Sequence, residues 1–135
     1  MKRLKGDCIL FSIGGIGYAL LEILWRRKTH WTMAVTGGTV FVSLYRFYKR
    51  FANMKLPLKC ISGSLIITIM EFFCGCIVNI KFKLNVWDYS NCRFNIKGQI
   101  CPFYSMLWAF LCIPISKLCG ILCKKRRDVG LKLYK

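Results

Sequence analysis

The chain has 135 residues, 56% of them hydrophobic, and a formal net charge of +17. A soluble domain of this size does not need the four near-spanning apolar stretches found here, and they leave little polypeptide for one. In a soluble chain the charge would point to nucleic acid; here the basic residues sit at the ends of apolar segments, where they orient a membrane protein, so no nucleic-acid partner is expected.

The N-terminus carries Lys2, Arg3 and Lys5, followed by the first apolar run, Cys8 to Trp25. It imitates a signal peptide, with Gly17-Tyr18-Ala19 as a small-residue cleavage site. The apolar run continues through Leu20, Leu21, Ile23, Leu24 and Trp25, which predicts a retained span, and Asp7 before Cys8 spoils a lipoprotein box. Gly15 and Ala19 form a small-xxx-small pair that lets another helix approach closely. The second run, Trp31 to Tyr48, repeats the device in Ala34 and Gly38, reinforced by Gly37. Two readings stand, packing within one subunit and contact between subunits. The loop between the runs, Arg26 to His30, is short enough to predict a tight hairpin, with Thr29 capping the second helix and Trp25 and Trp31 at the interface. Glu22, Arg26 and His30 lie four apart and would share a face if the helix continued. Glu22 falls roughly 5–6 Å inside the helix boundary, where an ion pair with Arg26 is expected.

The next loop, Lys49 to Lys59, is basic and contains Pro57; it reads as an ordinary cytoplasmic loop or as a docking site for a cytoplasmic partner. The third run, Cys60 to Ile80, carries Glu71 near its middle and no other charge. An ionisable group at that depth is expensive, and so points to a use or a partner. Gly75 and Asn79 follow Glu71 at steps of four and share its stripe. The stripe reads either as the lining of a cation or proton path, or as a protonated Glu71 hydrogen-bonded to a neighbouring helix.

The loop from Lys81 to Gln99 is the most unusual polar stretch. It combines Trp87, Asp88, Tyr89, Ser90 and Asn91, followed by Asn95, Gly98 and Gln99. Asp88 and Asn91 suit local turns. The loop is either a compact lid held by side-chain hydrogen bonds or a vestibule that selects solute. The fourth run, Ile100 to Cys123, has Pro102 near its start, where proline is tolerated, and Pro114 inside, where a kink is expected.

Nine cysteines are present, most of them in apolar segments. Cys74 and Cys76 point about 200° apart on a helix and cannot share a metal. Cys119 and Cys123 share a face, as small buried side chains or as a metal or lipid site. Cys92 and Cys101 flank the third loop and suit a disulfide in an oxidising compartment. No metal or cofactor is expected.

These runs are continuous rather than alternating, which argues against a transmembrane barrel. The expectation is an all-α integral membrane bundle of four transmembrane helices, about 8–25, 31–48, 60–80 and 100–123, in one domain over 1–135. The termini and second loop hold fifteen lysines and arginines against seven in the first and third loops. That predicts a multi-pass protein of the cell membrane with both termini cytoplasmic. The Lys124-Lys125-Arg126-Arg127 run is expected to rest on anionic headgroups, at about 1 kcal/mol per residue.

Particular residues carry a family resemblance. They are Trp87-Asp88-Tyr89-Ser90, then Phe94-Asn95, Lys97-Gly98, Ile100-Cys101, Ser105 and Leu107-Trp108. Earlier matches are Gly14-Gly15-Ile16-Gly17-Tyr18, Glu22-Ile23-Leu24-Trp25-Arg26, His30-Trp31-Thr32-Met33 and Gly37-Gly38, with Glu71, Gly75, Val78 and Asn79 between. From about Gly14 to Trp108 the chain resembles the Putative ABC-transporter type IV family. The resemblance implies a small permease subunit whose solute movement is driven by a separate ATPase subunit. It carries over no established catalytic or binding residues.

The chain has no G-x-x-x-x-G-K-[ST] loop, so it is not expected to hydrolyse ATP itself. Four helices are few for a transport path, which implies a homo-oligomer or another membrane subunit within the lipid bilayer. The alternatives are an autonomous small proton-coupled transporter and a non-transporting assembly or regulatory protein. An enzyme is not expected, with no Ser/His/Asp set and His30 as the one histidine. The intramembrane polar candidates are Glu71, Asn79, Glu22 and Arg26. The outer-loop candidates are Trp87, Asp88, Tyr89 and Asn91.

Overall fold

The computed structural model describes the backbone of residues 2–132 and the side chains of residues 6–125. The basic side chains at 2, 3, 5, 126, 127, 132 and 135 used in the charge count lie outside the described residues, as does half of the expected headgroup-binding run. Four α-helices are present: α1 (Lys2–Arg26), α2 (Trp31–Arg50), α3 (Leu56–Gly75) and α4 (Pro102–Lys132). A π-helical segment, Cys76–Lys81, continues α3. The described residues form no strand beyond one isolated bridge, Ile96 with Ile100.

Three segments are long and apolar enough to cross a membrane: Gly6–Arg26, Leu56–Lys81 and Pro102–Lys125. The expected second span, α2, does not join them on composition. Its sequence includes Thr32, Thr36, Thr39, Ser43 and Arg46 among the apolar residues. It is also the most enclosed helix, with Met33, Val40, Phe41, Leu44, Tyr45 and Tyr48 all buried. A helix surrounded by other helices needs less apolar surface than one facing lipid.

The helix ends follow local chemistry. Pro57 enters the first turn of α3, where its missing N–H costs nothing, so the helix starts earlier than the apolar run does. Pro102 plays the same part for α4. That helix then runs on through Pro114 to Lys132. The cap of α2 corrects an expectation. His30, not Thr29, is the N-cap, and its ring nitrogen accepts from the Thr32 N–H. The Thr29 hydroxyl instead donates to Glu22 at 3.0 Å.

α1 and α2 form the tight hairpin, and glycine makes the contact possible. A Cβ on Gly14 would run into the Phe41 side chain, and one on Gly37 into Tyr18. One on Gly15 would stand 2.8 Å from the Ala34 carbonyl oxygen. The small residues of the two runs therefore pack against each other within one chain. Gly17, by contrast, faces open space.

α3 packs along α4, and α2 touches both. Leu44 and Cys112 are fully buried at the centre, with Ile67 beside them. Polar groups also join α3 to α4: the Ser64 hydroxyl donates to the Ser105 carbonyl at 2.5 Å, and Thr68 and Ser105 share a hydrogen bond of 2.9 Å. α1 and α4 do not close on each other in the same way, and a cleft lies between them.

Candidate functional site

Glu71 is 2% exposed, at the junction of α1, α3 and α4. The Tyr18 hydroxyl of α1 donates to its Oε1 at 3.0 Å. The Trp108 indole N–H of α4 donates to its Oε2 at 2.7 Å. Both carboxyl oxygens are thus met by neutral donors, and no ion pair reaches Glu71 among the described residues. Tyrosine and tryptophan suit this duty because each carries one polar group on a large apolar body.

Glu22 lies one turn above Tyr18 on the same face of α1. It is 7% exposed, and Arg26 Nη1 donates to its Oε1 at 3.0 Å, the ion pair that the spacing predicts. Thr29 occupies the other oxygen. Arg26 Nη2 donates to the Val86 carbonyl at 2.5 Å and so ties α1 to the loop between α3 and α4. The Val86 N–H donates to Asn79 Oδ1 at 2.8 Å, and Asn79 Nδ2 donates to the Trp87 carbonyl and to Gln99 Oε1. Two stripes at steps of four, 18-22-26 on α1 and 71-75-79 on α3 and its π-helical continuation, are therefore joined twice. Tyr18 meets Glu71 at depth, and Arg26 meets Asn79 through Val86 at the top. Gly75, between the two levels, leaves room for Gln99, whose side-chain oxygen a Cβ there would strike.

The loop is a lid held by its own side chains. Trp87 is buried and its indole N–H donates to the Gln99 carbonyl at 3.0 Å. Asn95 Nδ2 donates to the Ser90 and Cys92 carbonyls, while its Oδ1 accepts from the Gly98 N–H. Gly98 has φ +67°, a conformation in which a Cβ is strained. Asp88 accepts from both the N–H and the hydroxyl of Ser90, which holds its exposed carboxyl below the usual carboxylate range. The Tyr89 ring stacks on Tyr104 of α4, centroids 4.3 Å apart and planes 14° from parallel. Burial pushes the Tyr89 phenol up, so it stays neutral. Asn91 is exposed. Cys92 and Cys101 are free thiols rather than a disulfide. No cluster of three or more metal-binding side chains occurs among the described residues.

The cleft between α1 and α4 passes in front of this column. Its outer part, about 300 Å³, is lined by Tyr18, Glu22, Tyr89, Tyr104 and Trp108 among apolar neighbours. Its inner part, about 310 Å³, shares Tyr18 and Trp108 and runs down past Gly17 to Leu118.

The structure thus brings Glu22 and Arg26 into one network with Asn79, Trp87 and the lid. Glu71 lies below this network, bonded to Tyr18 and Trp108, while Asp88 stays on the surface. Sequence reasoning missed Tyr18, Trp108, Thr29 and Gln99. The available signal was the polar end of Tyr18 and of Trp108 within an apolar run, since each needs a partner once buried.

Searches among curated proteins and among solved structures found no match. The family model described as Putative ABC-transporter type IV does match, over residues 9–132. With apolar helices of spanning length and a coverage that takes in the whole polar column and its lid, the chain is a membrane protein that belongs to the Putative ABC-transporter type IV family.

Proposed function

We propose that the chain is a permease-type subunit of a transport complex. It spans the cell membrane four times with both termini cytoplasmic, and it is no enzyme itself. One observation carries the reading: Glu71 lies within the bundle, behind the wall of a cleft open between α1 and α4, with both oxygens on neutral donors. A carboxyl so placed is costly to the fold, and a solute pathway gives it a use. Family membership supports the transport class. The sequence has no phosphate-binding loop, so the energy comes from a separate ATPase subunit. Four helices enclose too little space for a path alone, so a second copy or another membrane subunit completes it.

Crosslinking in native membranes followed by purification tests this. The expected product contains the chain together with a nucleotide-binding subunit. Recovery without any ATPase partner, over repeated crosslinkers, refutes the complex.

A second reading is favoured by the lack of a basic partner at Glu71. An acid that no fixed cation holds is free to exchange a proton, as an autonomous proton-coupled transporter requires. Uptake by the purified protein in liposomes, driven by a proton gradient and lost in Glu71→Gln, would decide for it.

A further inference from the structure

We propose that the outer part of the α1–α4 cleft binds a small organic cation of the ammonium class. This inference rests on the reading of the cleft as the solute-facing surface. A volume of about 300 Å³ suits a small molecule. Its lining is aromatic to an unusual degree, with Tyr18, Trp25, Tyr89, Tyr104 and Trp108 all contributing. The face of an aromatic ring is electron-rich and attracts a cation, most strongly where water is excluded. The Tyr89–Tyr104 stack fixes two of these rings. Tyr18 and Trp108, with centroids 6.0 Å apart, hold two more.

The polar hydrogens of Tyr18 and Trp108 are already engaged by Glu71. What these side chains give the cleft is therefore ring carbon, and donation to a carboxyl polarises each ring towards a more negative face. Arg26 also lines the cleft, but its guanidinium is occupied by Glu22 and by the Val86 carbonyl. That pair is neutral as a unit. Glu71, just behind the wall, has no counter-cation among the described residues. The field in the cleft thus favours a positive occupant over a negative one. Its aromatic walls favour an organic cation over a metal ion, which would need several oxygen ligands.

The test is equilibrium dialysis of the purified full chain in an uncharged detergent with labelled phenyltrimethylammonium. Binding should saturate. The uncharged isostere tert-butylbenzene and the anion benzenesulfonate should each displace the label at least tenfold less well than the unlabelled cation. Tyr104→Leu should weaken cation binding roughly three- to thirtyfold, while Tyr104→Phe, which keeps the ring, should bind like the parent. Tyr89→Leu serves the same purpose if Tyr104→Leu does not purify as a folded protein.

Absent saturable binding, equal displacement by the isostere, preference for the sulfonate, or full binding by the folded leucine variant each overturns the proposal. Equal displacement would instead mark an apolar groove for a lipid chain or a helix of a second copy. The assay needs neither an ATPase nor a gradient. Its failure therefore removes the cation site alone, and the co-purification result still decides the transport reading.

Discussion

A carboxyl at membrane depth is tolerated when each oxygen finds a donor, and Glu71 draws its two from helices that barely touch otherwise. The donors lie 53 and 37 residues away in sequence, so spacing along α3 could flag the acid but could not name its partners. The Glu22–Arg26 pair was legible for the opposite reason, being four residues apart on one helix. The cage makes a graded prediction. Tyr18→Phe removes one donor and should cost about 1 kcal/mol of stability in detergent. Glu71→Leu strands a phenol and an indole N–H together and should cost about 2–5 kcal/mol. In thermal melts, adding Tyr18→Phe to Glu71→Leu should cost less than it does alone, because the phenol it removes is already orphaned. Additive losses would show that the hydrogen bond does not hold the bundle. A second residue-scale prediction concerns Arg26. Arg26→Gln leaves Glu22 buried with Thr29 alone and removes the donor to Val86. The arginine is partly exposed, so the loss should be about 1–3 kcal/mol, below that of breaking a fully buried pair. Hydrogen exchange should speed up in the lid around Val86 and stay unchanged at the α3–α4 contact.

At the scale of the elements, glycine divides into packed and open positions, and sequence alone could not sort them. Gly14, Gly15 and Gly17 read as one cluster, yet Gly14 and Gly15 press on α2 while Gly17 faces the cleft. The difference lies in helix rotation, which three glycines in four positions do not specify. Gly37→Ala should drive its methyl into Tyr18 and cost about 1–3 kcal/mol. Gly17→Ala should be neutral within about 1 kcal/mol, since nothing lies near it. Melting temperatures of the two variants, side by side, check the rotation of α1. Helix existence was readable from apolar runs, while the ends moved by a turn or more wherever proline or polar residues could join a helix, as at Leu56. The lid was readable only as a choice between two forms. Its closure depends on Asn79 and Gln99, which sit outside or at the edge of the unusual stretch and meet across 20 residues.

For the molecule as a whole, the architecture turns on α2. It is less apolar than the other helices, yet it lies antiparallel to α1 along a glycine-lined contact and joins it through a loop too short for any other path. On the four-span proposal α2 returns across the membrane beside α1, with Thr32, Thr36, Tyr45 and Tyr48 buried in the bundle. The Arg46–Asp7 ion pair sits at the far end of that hairpin from the lid and joins the end of α2 to the start of α1, as a full-length return requires. Four crossings put both termini on one side; three would put them on opposite sides. The charge count, fifteen basic residues against seven, predicts that this common side is the cytoplasm. A fluorescent protein that folds only in the cytoplasm, fused to either terminus, should therefore fluoresce in both fusions. An alkaline phosphatase inserted after Asn91 in the lid should be active, because that enzyme needs the outer compartment. One dark terminal fusion would mean that α2 lies along the membrane or folds back within it, and the cleft in front of Glu71 would then open to a different side of the bilayer.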